Sequence, residues 1–265
     1  MRDFLRAELY YLRKDTAFKS ISATFLLGCI VLIIIIGTKG GYELDSAVQP
    51  LSIAAEFSLF LYLIIPLHAC FFATEGFEYG SIQNIIAAGR SRRSYFMGKY
   101  ILEILAVCWW LLQFFGLFYI LYLAAALVTG ARIGNESYGD DFSMAVRAIG
   151  FNILYLSAYA AAVMMLGMLM RKASSAVVVT FFFIFGNLLL SGYLKDSSSP
   201  LLRAVSDYSL MTQIMKFSGM YSDGSQRIPL SGTGDYVRAV AVPVLVIAVC
   251  LAITLIFVEK KDIQL

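Results

Sequence analysis

Residues 21–37 read ISATFLLGCIVLIIIIG, a run without one charged side chain. A helix needs about 20 mostly apolar residues to cross roughly 30 Å of hydrocarbon, and this run with its flanks, 20–38, meets that length. Working outward, runs of the same kind fall at 51–74, 100–129, 148–170, 173–194 and 237–258. The third is long and is expected to tilt or to continue past the bilayer. The second holds Pro66, which a membrane helix tolerates when neighbours satisfy the freed backbone groups. Nineteen largely polar residues precede the first run, which is not the pattern of a cleaved signal peptide, so that run is expected to stay as a span.

Composition excludes a soluble fold. Hydrophobic residues make up 60% of the 265 and charged residues 15%, with a mean hydropathy of +0.76. Soluble domains carry about 45–50% apolar and about 25% charged residues, and a chain this long still needs a polar surface. The sequence predicts an all-α polytopic membrane protein with six transmembrane helices, organised as a single transmembrane domain over 1–265. The net charge of +3 argues against a nucleic-acid binder. Cys29, Cys70, Cys108 and Cys250 each fall inside an apolar run, and no pair has metal-ligand spacing.

Lys and Arg set the expected orientation. One alternating set of segments is short and densely basic. It holds Arg2, Arg6, Arg13, Lys14 and Lys19, then Arg90, Arg92, Arg93 and Lys99, then Arg171 and Lys172, then Lys260 and Lys261. Both termini are therefore expected in the cytoplasm of a plasma-membrane protein. That leaves residues 75–99 as a cytoplasmic segment and 195–236 as an extracellular one.

Residues 75–99 read EGFEYGSIQNIIAAGRSRRSYFMGK. Ile82, Ile85 and Ile86 share one face of a short helix, with Ser81, Gln83 and Asn84 away from it. Gly89 suits a left-handed stop, and Ser91 can cap the next helix. An exposed isoleucine face needs a cover. It either lies on the inner leaflet, with Arg90, Arg92 and Arg93 at lipid phosphates, or docks into a groove on a soluble partner.

The pattern E-x-x-x-x-G-S-I-x-N-x-I-x-x-G-x-S-R-x-x-Y-x-x-G-K resembles the segment after the second span of ABC type-2 exporter permeases. It is most similar to small Gram-positive permeases linked to drug, bacteriocin or lantibiotic export and self-immunity. Glu75, Gly80, Ser81, Ile82, Asn84, Ile85, Gly89, Ser91, Arg92, Tyr95, Gly98 and Lys99 carry the match; Ser81 stands where Thr is common. The resemblance implies a coupling helix, about 79–89, seated on an ABC ATPase subunit. Its coupling residues would be Glu75, Glu78, Gly80, Ser81, Ile82, Asn84, Ile85, Ile86, Gly89 and Arg92. ATP and Mg would be bound by that partner and no cofactor by this chain. A second permease copy or a paralogue would complete the path for an amphipathic substrate. The resemblance favours docking over the lipid reading. It also implies an N-terminal interfacial helix over 1–19, where Leu5, Leu9 and Leu12 form a stripe edged by Arg2, Arg6 and Arg13; a plain basic tail is the alternative.

Catalytic chemistry is missing from the sequence. No phosphate-binding loop is present, since Gly98-Lys99 lacks the upstream glycine and the following hydroxyl. His68 is the one histidine, which excludes multi-histidine zinc sites and a credible Ser/His/Asp set. The chain is expected not to be an enzyme and to hold no metal. Glu56 and Glu103 lie near span ends, fewer buried charges than a proton-coupled carrier usually shows. Glu56, His68, Gln113, Asn152 and Asn187 are candidate substrate-path residues, with interhelical hydrogen bonding as the alternative role. In 195–236, Leu201, Val205, Tyr208, Met211 and Met215 have rough helical spacing, which the resemblance reads as a lid. Residues 219–234, rich in Gly and Ser, are expected to be mobile. Two rival functions stay open: a secondary carrier, and a non-transporting membrane sensor or immunity protein.

Overall fold

Asp15 decides where the first span begins. Its backbone leaves the helical region (φ −59°, ψ 134°), and its carboxylate accepts from the amides of Ala17 and Phe18 at 3.2 Å. Those are donors that a helix start leaves open. On one side lies α1, Arg2–Lys14, and on the other α2, Thr16–Gly40. The computed structural model describes residues 2–134, 138–170, 172–195, 197–223, 226–227, 230 and 232–260.

The second span is made in pieces. Helix α3, Gln49–Phe57, passes through a 3-10 turn at Ser58–Phe60 into α4, Leu61–Glu78. A short α5, Ser81–Ala87, follows, then α6, Arg92–Thr129. At about 1.5 Å per residue the 38 residues of α6 reach about 57 Å, well past the hydrocarbon core. The expected long third run is thus a helix that continues beyond the bilayer. Helices α7, Tyr138–Met170, and α8, Ala173–Lys195, come next. After α9, Pro200–Asp207, and α10, Leu210–Phe217, a two-residue strand pair (Ser222–Asp223 with Gln226–Arg227) leads to α11, Gly232–Lys260.

Among the described residues six stretches are long and apolar enough to cross a membrane: Thr16–Gly40, Gln49–Glu78, Arg92–Thr129, Asp141–Met170, Ala173–Leu194 and Gly232–Glu259. Each contains one of the six runs read from sequence. The chain is an all-α, multi-pass membrane protein.

Most of α4 and α7 is buried, whereas most of α2, α8 and α11 is not. So α4 and α7 form the centre and the others the lipid-facing ring. Small residues make the central pair possible. Ala158, Ala160, Ala161 and Ala162 of α7 are buried, and a Cβ on Gly167 would stand 3.3 Å from both Ala73 and Thr74 of α4. Close backbone approach through small residues is how membrane helices gain packing.

Six alternating spans put α1, α5 and the end of α11 at one end, here the terminal end. The opposite loop end is tied by a parallel bridge between Leu44 and Ile133, with Leu44 N donating to Arg132 O at 3.0 Å and Gly134 N to Leu44 O at 2.8 Å. The residues of rough helical spacing fall on two helices: a break at Ser209, whose hydroxyl caps α10, leaves Leu201, Val205 and Tyr208 exposed on and just after α9 and buries Leu210, Met211 and Ile214 on α10. Residues 224–225, 228–229 and 231, within the stretch expected to be mobile, lie outside the described residues, as does Arg171.

Candidate functional site

Helix α5 is fixed at both ends by glycine. Gly80 enters it in the left-handed region (φ 65°), and Gly89 leaves it there (φ 85°). Gly89 N donates to Ile86 O at 2.9 Å and Arg90 N to Ile85 O at 3.3 Å, the paired bonds of a Schellman stop. Ser91 then caps α6, accepting from Ser94 N at 3.2 Å, as its position predicts.

The face of α5 is where sequence reading and structure part. Ile82 is 2% exposed and packs with Ala73, Tyr95 and Phe96, and Ile85 and Ile86 are half-buried against the same cluster. Ile82 therefore meets this chain's own helices, and Ile85 and Ile86 do so over part of their surface. What faces outward is Ser81, Asn84, Ala87 and Ala88, next to Tyr79 at 80% exposure. The spacing of Ile82, Ile85 and Ile86 correctly says that they share a face, but spacing is silent on what the face touches.

Residues of α1, α4, α6, α8 and α11 meet around this corner. Tyr95 of α6 lies across α4 at Gly76, where an added Cβ would stand 2.1 Å from the Tyr95 hydroxyl. Phe4 of α1 packs on the Tyr95 ring at 5.9 Å. The Glu78 carboxylate accepts from Ala173 N at 3.0 Å, an anion placed at the start of α8. Arg93 pairs with Glu259 of α11, and Arg92 donates to Val258 O at 3.4 Å.

Deeper lies a polar line along α6. Lys99 is 3% exposed at its side chain, 2.9 Å from Glu8 of α1 and 2.5 Å from Glu75 of α4, with its ammonium 3.9 Å from the Phe72 ring centre. One turn on, Glu103 is fully buried, and His68 Nδ1 lies 3.0 and 3.2 Å from its two oxygens, within hydrogen-bond distance of both. Trp110 meets the imidazole edge-on at 4.7 Å and Phe72 stacks on it at 5.7 Å. The Glu75 carboxylate reaches α1 as well, where it is the chief cause holding the Tyr11 phenol above its ordinary pKa. Three carboxylates thus surround one ammonium and one imidazole. This corrects the expectation of few buried charges, and Glu103 belongs to the network rather than to a span end. The signal was available: Lys99 and Glu103 are four apart, and His68, Phe72 and Glu75 share one face of α4.

The other predicted path residues do not converge. Gln113 donates to Ser22 O at 2.8 Å and ties α6 to α2. Asn152 is fully buried, accepts from the Tyr62 hydroxyl at 3.0 Å and donates to Ala148 O at 2.9 Å, tying α4 to α7. Asn187 donates to Phe183 O within α8 at 2.8 Å. Glu56 stands apart at the loop end, on α3 beside the 3-10 turn. Among the described residues no group of three or more His, Cys, Asp or Glu is placed to hold a metal ion.

The family described as "Protein of unknown function (DUF2705)" matches residues 25–264, which takes in most of the first span, the other five spans and α5. No curated protein matches the chain. With nearly its whole length matched, the chain belongs to the DUF2705 family.

Proposed function

We propose that the chain is the permease subunit of an ATP-driven ABC exporter in a bacterial plasma membrane, with both termini cytoplasmic. In this reading α5 is the coupling helix, ATP and Mg are handled by a separate ATPase subunit, and a second permease copy or paralogue completes the path for an amphipathic substrate. The observation that carries it is the corner itself. A seven-residue helix held by glycine turns has no stability of its own, yet it is seated on α4 and α6, whose adjoining residues Glu78, Tyr95, Arg92 and Arg93 hold α8, α1 and α11. A force on α5 therefore passes to α4 and α6 and through them to the helices they hold, which is what a transducer requires. Docking would use the outward Tyr79, Ser81, Asn84 and Ala88, with Ile82, Ile85 and Ile86 as the seat.

The test is co-purification of the chain with the products of neighbouring genes. A Walker-type ATPase is expected to come with it. Asn84→Arg, on the outer face, is expected to release the ATPase without moving the thermal midpoint. An ATPase that stays bound to that variant, with export intact, removes the coupling role.

The buried His68–Glu103 pair and Lys99 favour one alternative, a secondary carrier driven by protons. It predicts uptake or efflux in proteoliposomes that hold this chain alone, abolished by Glu103→Gln. An ATP requirement supplied in trans separates the two readings.

A further inference from the structure

At the loop end, between α3, α7, α10 and α11, lies a cavity of about 710 Å³, within the size range of small-ligand sites. Its lining carries both signs of charge, Glu56 and Asp141 against Arg147 and Lys216. The apolar wall is a ring stack: Phe151 lies nearly parallel to Phe217 at 5.5 Å and to Tyr236 at 6.3 Å. The Arg147 guanidinium is held at the wall by the Tyr236 hydroxyl at 2.8 Å and by the carbonyl and hydroxyl of Ser143 at 3.0 and 2.9 Å. Lys216 pairs with Asp207 at 3.3 Å. Asp141 accepts from the Ser46 hydroxyl, and Glu56 also has an interaction within the protein, so a ligand would exchange for existing partners rather than meet idle charges.

Glu56 gives the cavity its character. A carboxylate on a membrane-spanning stretch is costly and marks function by default. This one adjoins the Ser58–Phe60 turn, and a 3-10 segment inside a helix often marks a hinge. The rings are stacked on one another, whereas quaternary ammonium groups are held by open aromatic faces. The carboxylates are therefore the partners left for a cation, which suits a primary ammonium or a guanidinium.

We propose that this cavity binds a short amphipathic peptide segment. A basic side chain would pair with Glu56 and Asp141, main-chain carbonyls or a carboxylate would meet Arg147 and Lys216, and an apolar side chain would lie on the Phe151 stack. The proposal names a substrate class for the exporter reading and rests on that reading for transport, though not for binding.

The experiment uses the full chain in nanodiscs, without an ATPase, titrated with N-acetylated Lys-Phe-Leu-Asp carrying a fluorophore. Saturable binding is expected. It should weaken by about tenfold or more, or 1.4 kcal/mol, when the peptide lysine is acetylated on its side chain, and similarly for Glu56→Gln and Asp141→Asn of unchanged thermal midpoint. The acetylated peptide tests the wild-type chain directly, whatever the variants do to folding. Equal binding of the two peptides overturns the proposal, as does absence of saturable binding. So does a site emptied by phosphoethanolamine but not by unlabelled peptide, which would make it a lipid-headgroup site. Failure here leaves the coupling role of α5 to its own co-purification result.

Discussion

Ile82→Ala is expected to release α5 while leaving the six spans folded. The side chain is 2% exposed, so it gains nearly its full transfer energy on packing. Three carbons are removed, at about 0.8 kcal/mol each, for about 2.5 kcal/mol before any cavity cost. A helix of seven residues has little to set against that loss, and the half-buried Ile85 and Ile86 remain as its anchors. The loss appears as local opening: about 2.5 kcal/mol speeds exchange of the α5 amides by about 60-fold. Hydrogen exchange with mass detection reads this on peptides covering 81–90, where Ala88, Gly89 and Arg90 donate to Asn84, Ile86 and Ile85. The α7 segment around Tyr155 and Tyr159 should not change. Unaltered protection of 81–90 would falsify the claim that Ile82 seats the helix, and collapse of α7 would show that the corner is no local unit. For the same reason Ile82→Asp cannot test ATPase docking, because it removes the helix before it removes the contact.

Three further outcomes follow from the same geometry. Gly76→Ala puts a Cβ 2.1 Å from the Tyr95 hydroxyl and is expected to cost about 1–3 kcal/mol, read as a lower thermal midpoint in detergent; adding Tyr95→Phe removes the clashing oxygen and should restore most of it. Lys99→Met leaves Glu8 and Glu75 facing each other without their shared cation, at about 3 kcal/mol, and should loosen α1 so that proteolysis within residues 2–15 accelerates. Gly134→Ala places a Cβ 2.6 Å from the Asp45 carbonyl oxygen, a backbone atom that cannot swing away; loss of the two bonds at Leu44, about 1 kcal/mol each, should raise exchange at 44 and 134 and spare the spans.

The spans were legible because hydrophobic length is a one-dimensional property. Ser91 and Gly89 were of the same kind, since caps and stops depend on near neighbours, whereas the break at Asp15 fell inside the stretch 1–19 expected as one helix. Contacts between elements were not. Ile82, Ile85 and Ile86 read as an apolar face in need of a partner, and only the return of α6 past α4 shows that the partner is internal. Glu103 sat close to a span edge in the sequence, yet α6 continues to Arg92, so the residue lies well inside a helix opposite His68. The Ser58–Phe60 turn has neither proline nor glycine to announce it, and the loop-end cavity joins residues some 180 positions apart, Glu56 to Tyr236.

The second span joins the two ends. Its α4 half carries His68, Glu75, Gly76 and Glu78 at the α5 corner, and its α3 half carries Glu56 at the cavity. From Glu56 to Glu78 is about 33 Å at 1.5 Å per residue. Over α4 that rod is locked to α7 by Gly167 against Ala73 and Thr74 and by the Tyr62–Asn152 bond. The α7 helix in turn carries Asp141, Arg147 and Phe151, the facing wall of the cavity. On the exporter reading, a push on α5 therefore moves α4 and α7 as one packed pair, and the first place where the two walls can part is the 3-10 turn. Close-packed helices shift as bodies and break at such joints rather than bending evenly. On that reading the cavity changes volume when α5 moves, since Glu56 stands on the far side of that turn from α4.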